Sequence, residues 1–143
     1  MHIAKVLLVD DEAAFLDVMN RRLEMRELSV RTALSGQECL KALKEDPAID
    51  VVILDVKMPG MDGIETLREV KKEFPLVEVV MLTGHATVET AIEGMKYGAF
   101  DYLMKPCNIE QLIEKVAEAK AKKAKHEEKI TEAQLKEIMG RMA

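Results

Sequence analysis

Several features that are absent from this sequence exclude classes of function. No apolar stretch approaches the roughly 20 residues that a membrane span needs, and the amino-terminal residues carry no secretory signal pattern. No candidate strand is followed by a glycine-rich phosphate-binding motif, which argues against a nucleotide- or flavin-binding domain. The net charge of -5 argues against general binding to nucleic acid or anionic membranes. We therefore expect no membrane association and no direct DNA binding by this chain.

Cysteine is also scarce. Cys39 and Cys107 are the two cysteines among 143 residues, they lie far apart, and no CxxC motif is present. Two such residues predict free thiols in a reducing compartment, so we expect a cytoplasmic protein. With 48% apolar residues, a chain of this length is expected to form one domain with a sizeable core.

Short aliphatic runs alternate with segments in which apolar residues recur at helical spacing. A helix is predicted after each run, for example where Val88, Ile92 and Met95 mark one helix face. Strands that alternate with helices in this way pair in parallel, so an α/β fold with a five-stranded parallel sheet is predicted. The runs predicted as strands cover residues 3–9, 28–33, 51–54, 77–82 and 100–104.

Polar side chains follow four of the predicted strands, at the point where each strand ends. Asp10 and Asp11 follow the first strand, Asp55 the third, Thr83 the fourth and Lys105 the fifth. In an open parallel sheet, ligands bind outside the carboxyl ends of the strands. Clustered carboxylates repel one another and need a cation, and carboxylate oxygens suit Mg²⁺. The pattern predicts a small Mg²⁺ site with one carboxylate left to react.

Each candidate residue is suited to a different role at such a site. Asp11 and Asp55 are the best candidates for direct Mg²⁺ ligands, and Asp10 is an outer-shell partner or an alternative ligand. Asp55 stands alone after a more central strand, so it is the best nucleophile for attack on phosphorus. Lys105 would supply positive charge and Thr83 a hydroxyl donor to the transferred phosphoryl group. Alone, each residue has an ordinary explanation as a helix cap, turn or loop residue, but their joint position favours a site.

Four motifs together resemble the receiver domain of two-component response regulators. They are VDDE at 9–12, LDVKMPGMDG at 54–63, LTGHA at 82–86 and YLMKP at 102–106. The resemblance extends over residues 3–120 and implies a (βα)5 fold with the flavodoxin-like strand order 2-1-3-4-5. The stretch from the third motif through the fourth is most similar to receivers of sigma-54-type activators.

The resemblance implies a role for each matching residue. Asp55 would accept a phosphoryl group from a sensor histidine kinase or a histidine phosphotransfer protein. Asp10 and Asp11 would serve Mg²⁺ together with Asp55, and Lys57 would offer its backbone carbonyl as a further metal ligand. The chain would then be a phosphoacceptor switch and not an enzyme in the usual sense. It would promote only its own phosphorylation and the slow loss of the phosphoryl group.

A switching mechanism is implied as well. Thr83 would move toward the phosphoryl group, and Tyr102 would rotate into the space that Thr83 leaves. The surface of the fourth helix, fifth strand and fifth helix would change with them, for binding a partner or for phosphorylation-dependent homodimerisation. In this family the peptide bond between Lys105 and Pro106 is expected to be cis.

The carboxyl-terminal residues follow a different pattern. We expect a receiver domain at 1–122 and a helical extension at 123–143. Thr131 and Gln134 fit a capping box, which predicts a helix break there and a short sixth helix. That helix would carry an apolar stripe formed by Leu135, Ile138, Met139 and Met142. The lysines that precede it are expected to form a solvated helix face that does not bind DNA, namely Lys120, Lys122, Lys123 and Lys125.

Two alternatives stay open at this point. An aspartyl-phosphatase of the haloacid dehalogenase type also uses an aspartate nucleophile. That class places a DxD motif after its first strand, whereas here Asp10 and Asp11 are adjacent and the solitary Asp55 follows the third strand. The chain is either a stand-alone regulator or a piece of a larger activator, and the amphipathic sixth helix favours a genuine ending.

Overall fold

The computed structural model describes residues 3–142, and strands alternate with helices throughout this range. The five strands are all parallel and lie in the order β2-β1-β3-β4-β5, so the predicted fold is confirmed. Among the residues so described, no helix is long and apolar enough to cross a membrane. The elements are β1 (Ala4–Val9), α1 (Ala13–Glu24), β2 (Leu28–Ala33), α2 (Gly36–Glu45), β3 (Val51–Leu54), α3 (Gly63–Glu73), β4 (Glu78–Thr83), α4 (Val88–Lys96), β5 (Asp101–Met104) and α5 (Ile109–Met142).

The central strands read as continuous apolar runs because both faces of the sheet are covered. Alternate residues of a strand point to opposite faces. Val52 and Leu54 of β3 therefore join the layer that includes residues of α2 and α3. Val51 and Ile53 join the opposite layer, which includes residues of α1 and α5. The two layers bury the strands and leave their carboxyl ends at one edge of the sheet.

Side chains cap the amino-terminal ends of α2 and α5. Ser35 Oγ accepts a hydrogen bond from the backbone N–H of Glu38 at 3.1 Å, and the Glu38 carboxylate accepts from the N–H of Leu34 at 3.1 Å. Asn108 Oδ1 accepts from the N–H of Glu110 at 2.8 Å at the start of α5. These side chains satisfy N–H groups that have no partner within the helix.

Both cysteines are free thiols, as predicted. Cys39 is fully buried in the layer beneath α2. Burial raises the pKa of the Cys39 thiol to about 12. The thiol therefore stays protonated and serves as a small apolar group in the core.

The predicted break at Thr131 is wrong, because α5 continues without interruption from Ile109 to Met142. The Thr131 hydroxyl donates to the carbonyl oxygen of Glu127 at 3.0 Å, one turn back in the same helix, and does not cap a new one. The surrounding residues are mostly Ala, Lys and Glu, which are strong helix formers. No proline or glycine occurs between Ile109 and Gly140, so no residue interrupts the helix there.

The prediction of a solvated lysine face is wrong for Lys123, whereas Lys122 and Lys125 are exposed as predicted. Lys123 is only 9% exposed, and its Nζ lies 3.2 Å from Asp50 Oδ1. Lys120 Nζ donates to the carbonyl oxygen of Ile3 at 2.8 Å. Only Lys125, of the four lysines, points away from the sheet without an ion pair among the described residues.

These lysines help to form an ion-pair group at the amino ends of the strands, which we call the amino-edge cluster. Glu78 begins β4 and is 1% exposed. Its carboxylate lies 3.1 Å from Lys71 Nζ and 3.3 Å from Lys122 Nζ. Asp50, just before β3, pairs with Lys123. The cluster thus ties α3 and α5 to the edge of the sheet.

Candidate functional site

The register of the sheet brings the three predicted carboxylates together. The backbone N–H of Asp10 donates to Ala33 at the end of β2, and that of Asp55 donates to Val9 at the end of β1, both at 3.1 Å. Asp10 and Asp55 are therefore held side by side, and Asp11 follows directly. One carboxylate oxygen from each of the three lies within 4.8 Å of the others. The prediction that these three carboxylates lie close together is confirmed.

Two of these carboxylates are almost completely buried, with exposed fractions of 1% for Asp10 and 2% for Asp55. Burial raises the pKa of the Asp55 carboxyl above its ordinary value, and the charge of Asp10 raises it further. The Thr83 hydroxyl, the Lys105 charge and the N–H of Val56 act in the opposite direction but do not cancel the effect. Ionised Asp55 is therefore destabilised by its surroundings, which would favour the approach of a cation.

Lys105 is the cation that the fold itself supplies. Its Nζ donates to Asp10 Oδ2 at 2.6 Å and lies 3.9 Å from Asp55 Oδ2. It also lies 3.8 Å from the centre of the Phe15 ring, a cation–π contact between α1 and the end of β5 that sequence reasoning missed. The peptide bond to Pro106 is cis, as expected.

Thr83 and His85 lie on the opposite side of Asp55 from the sheet's first strands. Thr83 is fully buried, and its Oγ1 accepts a hydrogen bond from the N–H of His85 at 3.0 Å. His85, Lys57 and Asp11 line a cavity of about 400 Å³ at the mouth of the site. The structure therefore places Lys57 beside the acidic cluster, with its side chain exposed.

Tyr102 packs against α4. Its hydroxyl lies 2.7 Å from Thr90 Oγ1, so the two form a hydrogen bond. Its ring packs so closely on Gly94 that a Cβ at position 94 would stand 3.3 Å from ring atom Cδ2. Sequence reasoning missed Thr90, although the pair Thr87 and Thr90 forms a capping box at the start of α4 that could have signalled it.

Gly63 holds the loop after Asp55 in place. Its N–H donates to the carbonyl oxygen of Val56 at 2.7 Å. A Cβ at Gly63 would overlap the backbone oxygen of Asp55 and would lie 2.6 Å from Cα of Val56. This close approach of two backbones requires glycine. Sequence reasoning included Gly63 only as the last residue of the motif at 54–63 and gave it no role.

Comparison with known proteins places this chain in a family. A model described as the response regulator receiver domain matches residues 6–117. The chain belongs to this family. The resemblance predicted from the four motifs is thereby confirmed. Receiver domains are phosphoacceptors that bind Mg²⁺ through acidic residues and are phosphorylated by histidine kinases, so the acidic cluster of this receiver domain is of the kind its family uses.

This receiver domain is similar to parts of longer curated proteins. It is 38% identical over 106 residues to the DNA-binding transcriptional regulator NtrC of Klebsiella pneumoniae, which covers 74% of this chain and 22% of that protein. It is also 37% identical over 116 residues to the transcriptional regulatory protein ZraR of Salmonella typhimurium. That match covers 81% of this chain and 26% of ZraR. The chain thus spans about a quarter of the length of these relatives. Both are regulators of the sigma-54 activator type, which confirms the predicted likeness.

A solved structure agrees with this assignment. The crystal structure of a response regulator receiver domain protein from Clostridium thermocellum matches with a TM-score of 0.80 at 42% identity. The match covers 85% of this chain and 97% of that one. The fold of the receiver domain is therefore shared with a protein of nearly the same extent.

Proposed function

We propose that this receiver domain is a phosphorylation-controlled switch in which Asp55 is the phosphoacceptor. The donor would be the phosphohistidine of a sensor histidine kinase or of a histidine phosphotransfer protein. The observation that carries the proposal is a charge imbalance, since three carboxylates within 4.8 Å share one lysine. That lysine lies closer to Asp10 than to Asp55, so Asp55 is the less neutralised of the two buried carboxylates.

The transfer would exchange one bond to phosphorus for another. A carboxylate oxygen of Asp55 attacks the phosphorus atom, the new P–O bond forms an acyl phosphate, and the P–N bond to the donor histidine breaks. The electron pair of that bond returns to the imidazole nitrogen. Negative charge on the transferred oxygens would be met by Lys105 and by the Thr83 hydroxyl. The domain would act on no separate substrate and would promote only its own phosphorylation and slow dephosphorylation.

The residues around Asp55 fit a Mg²⁺ ion. Asp10, Asp11, Asp55 and the backbone carbonyl of Lys57 are the oxygen donors that would hold it. When bound, Mg²⁺ would neutralise charge on the carboxylates and on the phosphoryl oxygens. The raised pKa of Asp55 supports this assignment, because it reflects a buried carboxylate without enough neighbouring positive charge.

The response would be carried by Thr83 and Tyr102. We propose that Thr83 moves toward the phosphoryl group and that Tyr102 changes position with it. Because Tyr102 is hydrogen-bonded to Thr90 of α4, its movement would alter the surface of α4, β5 and α5. This surface would bind a partner protein or a second copy after phosphorylation. Four apolar side chains on it are exposed: Val88, Ile92, Met95 and Met104.

The remaining expectations complete the proposal. We divide the chain into a receiver domain at 1–122 and a helical extension at 123–143, and we place it in the cytoplasm without membrane association. We propose no direct DNA binding by this chain. The pairing of Lys120, Lys122 and Lys123 within the fold supports this, because it leaves few free positive charges on α5.

A small phosphodonor tests the chemistry directly. In the presence of Mg²⁺, the intact mass of the wild-type chain is expected to rise by one phosphoryl group. The Asp55→Asn variant should show no adduct, whereas Asp17→Asn, an exposed aspartate on α1, should behave as wild type. A full adduct on Asp55→Asn would place the nucleophile elsewhere and would refute the proposal.

A further inference from the structure

The last part of α5 has an apolar face with nothing against it. Every residue at 127–142 is exposed in the structure. The stripe is formed by Leu135, Ile138, Met139 and Met142, with exposed fractions of 52%, 50%, 67% and 81%. In proteins most helical stability comes from packing of an apolar face, and this face packs on nothing among residues 3–142. The stripe therefore calls for a partner surface.

The same face of α5 continues toward the receiver body with small residues. Ala117, Ala121 and Ala124, which we call the alanine face, are all exposed. They lie opposite the residues of α5 that are buried against the sheet, such as Val116 and Ala119. Together with the stripe they form one series whose spacing alternates between four and three residues, as in a coiled coil. The series is Ala117, Ala121, Ala124, Glu128, Thr131, Leu135, Ile138 and Met142.

This series has large residues in one half and small residues in the other. We propose that two copies of this chain pair through α5 in antiparallel orientation, with the stripe of each copy on the alanine face of the other. The two-fold axis would pass between Lys129 and Ile130. The facing pairs would be Ala117 with Met142, Ala121 with Ile138, Ala124 with Leu135, and Glu128 with Thr131.

The antiparallel arrangement is favoured by size and by charge. In a parallel pair in register, Glu128 of one copy would face Glu128 of the other, and like charges at a packed position are unfavourable. In the antiparallel pair, Glu128 faces Thr131. One flanking pair also matches, because Lys125 would lie near Glu132 of the second copy. Neither of these two has an ion-pair partner elsewhere in residues 3–142.

The size match works in the same direction. A parallel pair would stack alanine on alanine near the receiver body and large residues on large ones at the far end. An antiparallel pair instead places one large and one small residue in nearly every layer, which gives an even interhelical distance. The contact would extend along 26 positions of the helix, or roughly 39 Å at 1.5 Å per residue.

This dimer goes beyond the proposed function, because it does not require phosphorylation and is distinct from the pairing proposed to follow it. It uses the outer face of α5 and leaves Asp55 and the exposed side chains of α4 free. Its test can therefore be made without a phosphodonor, and its failure would leave the proposed chemistry at Asp55 untouched.

Light scattering of the purified chain, without Mg²⁺ or phosphodonor, is the first test. The wild type is expected to have the mass of two chains. Leu135→Glu and Ala121→Glu should each reduce it to the mass of one, because they charge opposite sides of the same contact. Met25→Glu, at the exposed end of α1, is the matched control and should remain dimeric. Formation of the Asp55 adduct in every variant would show that the receiver is folded.

Disulfide trapping tests the orientation. In a Cys107→Ser background, Ala117→Cys and Met142→Cys variants are mixed and oxidised. The antiparallel dimer predicts a crosslink only in the mixture, since position 117 would stand about 37 Å along the axis from its counterpart in the other copy. A monomeric wild type, a dimer that survives Leu135→Glu, or self-crosslinking of Ala117→Cys alone would each overturn the proposal.

Discussion

The two ends of the sheet both bury acidic side chains beside lysines, yet their charges are balanced differently. At the carboxyl edge, three carboxylates within 4.8 Å share Lys105. At the amino edge, Glu78 and Asp50 are met by Lys71, Lys122 and Lys123. Buried charge alone therefore does not mark a functional site in this protein. The edge with too few lysines is the one that we propose takes a cation and a phosphoryl group.

The difference also separates two kinds of contribution to stability. The amino-edge cluster ties α3 and α5 to the sheet, and both Glu78 and the partly buried Asp50 have a lysine within 3.3 Å. At the carboxyl edge the raised pKa of Asp55 indicates that its charge works against folding. We expect substitutions at the two edges to change stability in opposite directions.

The largest effect is expected at Gly63. A Cβ there would overlap the backbone of Asp55 and Val56, so the loop must shift. Gly63→Ala should lower the free energy of unfolding by about 3 kcal/mol and should impair phosphorylation by displacing Asp55. Chemical denaturation and the phosphodonor assay measure the two effects. Gly140→Ala is the matched control because a Cβ there meets nothing within 4 Å, and an equal loss in both variants would contradict the explanation.

A smaller loss is expected when the amino-edge cluster is broken. Glu78→Gln keeps the shape of the side chain but removes the charge that pairs with Lys71 and Lys122. Because Lys122 is half exposed and can be rehydrated, we expect a loss of about 2 kcal/mol rather than the full cost of breaking a buried pair. Denaturant unfolding against Glu73→Gln, an exposed glutamate on α3, checks this. The Asp55 adduct should form normally, and its absence would mean that the two edges are not independent.

At the carboxyl edge, a substitution is expected to raise the free energy of unfolding rather than lower it. Asp55→Asn removes a buried, poorly neutralised charge and retains the side-chain shape. Without Mg²⁺ at neutral pH, the variant should be more stable than wild type by on the order of 1 kcal/mol. Thermal unfolding in the presence of a chelator measures this. A less stable variant would mean that Lys105 already neutralises Asp55 in the absence of a metal.

The pH dependence of stability sharpens the same point. The pKa of Asp55 is raised above the ordinary value of 3.8, so its contribution to stability is fully present below that value and is lost as the pH rises through the folded-state pKa. The pKa of the Asp46 carboxyl is lowered by its hydrogen bond to Lys5, and its contribution has the opposite dependence. The stability difference between wild type and Asp55→Asn isolates the first effect. It should grow in favour of the variant as pH rises from 3.8 through the folded-state pKa, and a flat difference would refute the assignment.

Much of this arrangement could be predicted from sequence because strand-end positions determine which side chains meet. Asp10, Asp55 and Lys105 follow apolar runs, and parallel register alone brings them to one edge. The pairing of Lys123 with Asp50 could not be predicted, since periodicity identifies the face of a helix but not the charge opposite it. The prediction of a break at Thr131 was wrong because the same residue pattern also occurs within continuous helices. There the threonine hydroxyl donates to a carbonyl oxygen one turn back, as Thr131 does to Glu127.

A Mg²⁺ titration followed by thermal unfolding tests the central comparison most directly. A cation that binds the folded state raises its stability. Mg²⁺ should raise the unfolding temperature of the wild type and, by the same shift, that of Glu78→Gln. Asp55→Asn and Asp11→Asn should show a much smaller shift. If Mg²⁺ leaves the wild type unchanged, or stabilises Asp55→Asn as much as the wild type, the carboxyl edge is not the cation site that its charge imbalance indicates.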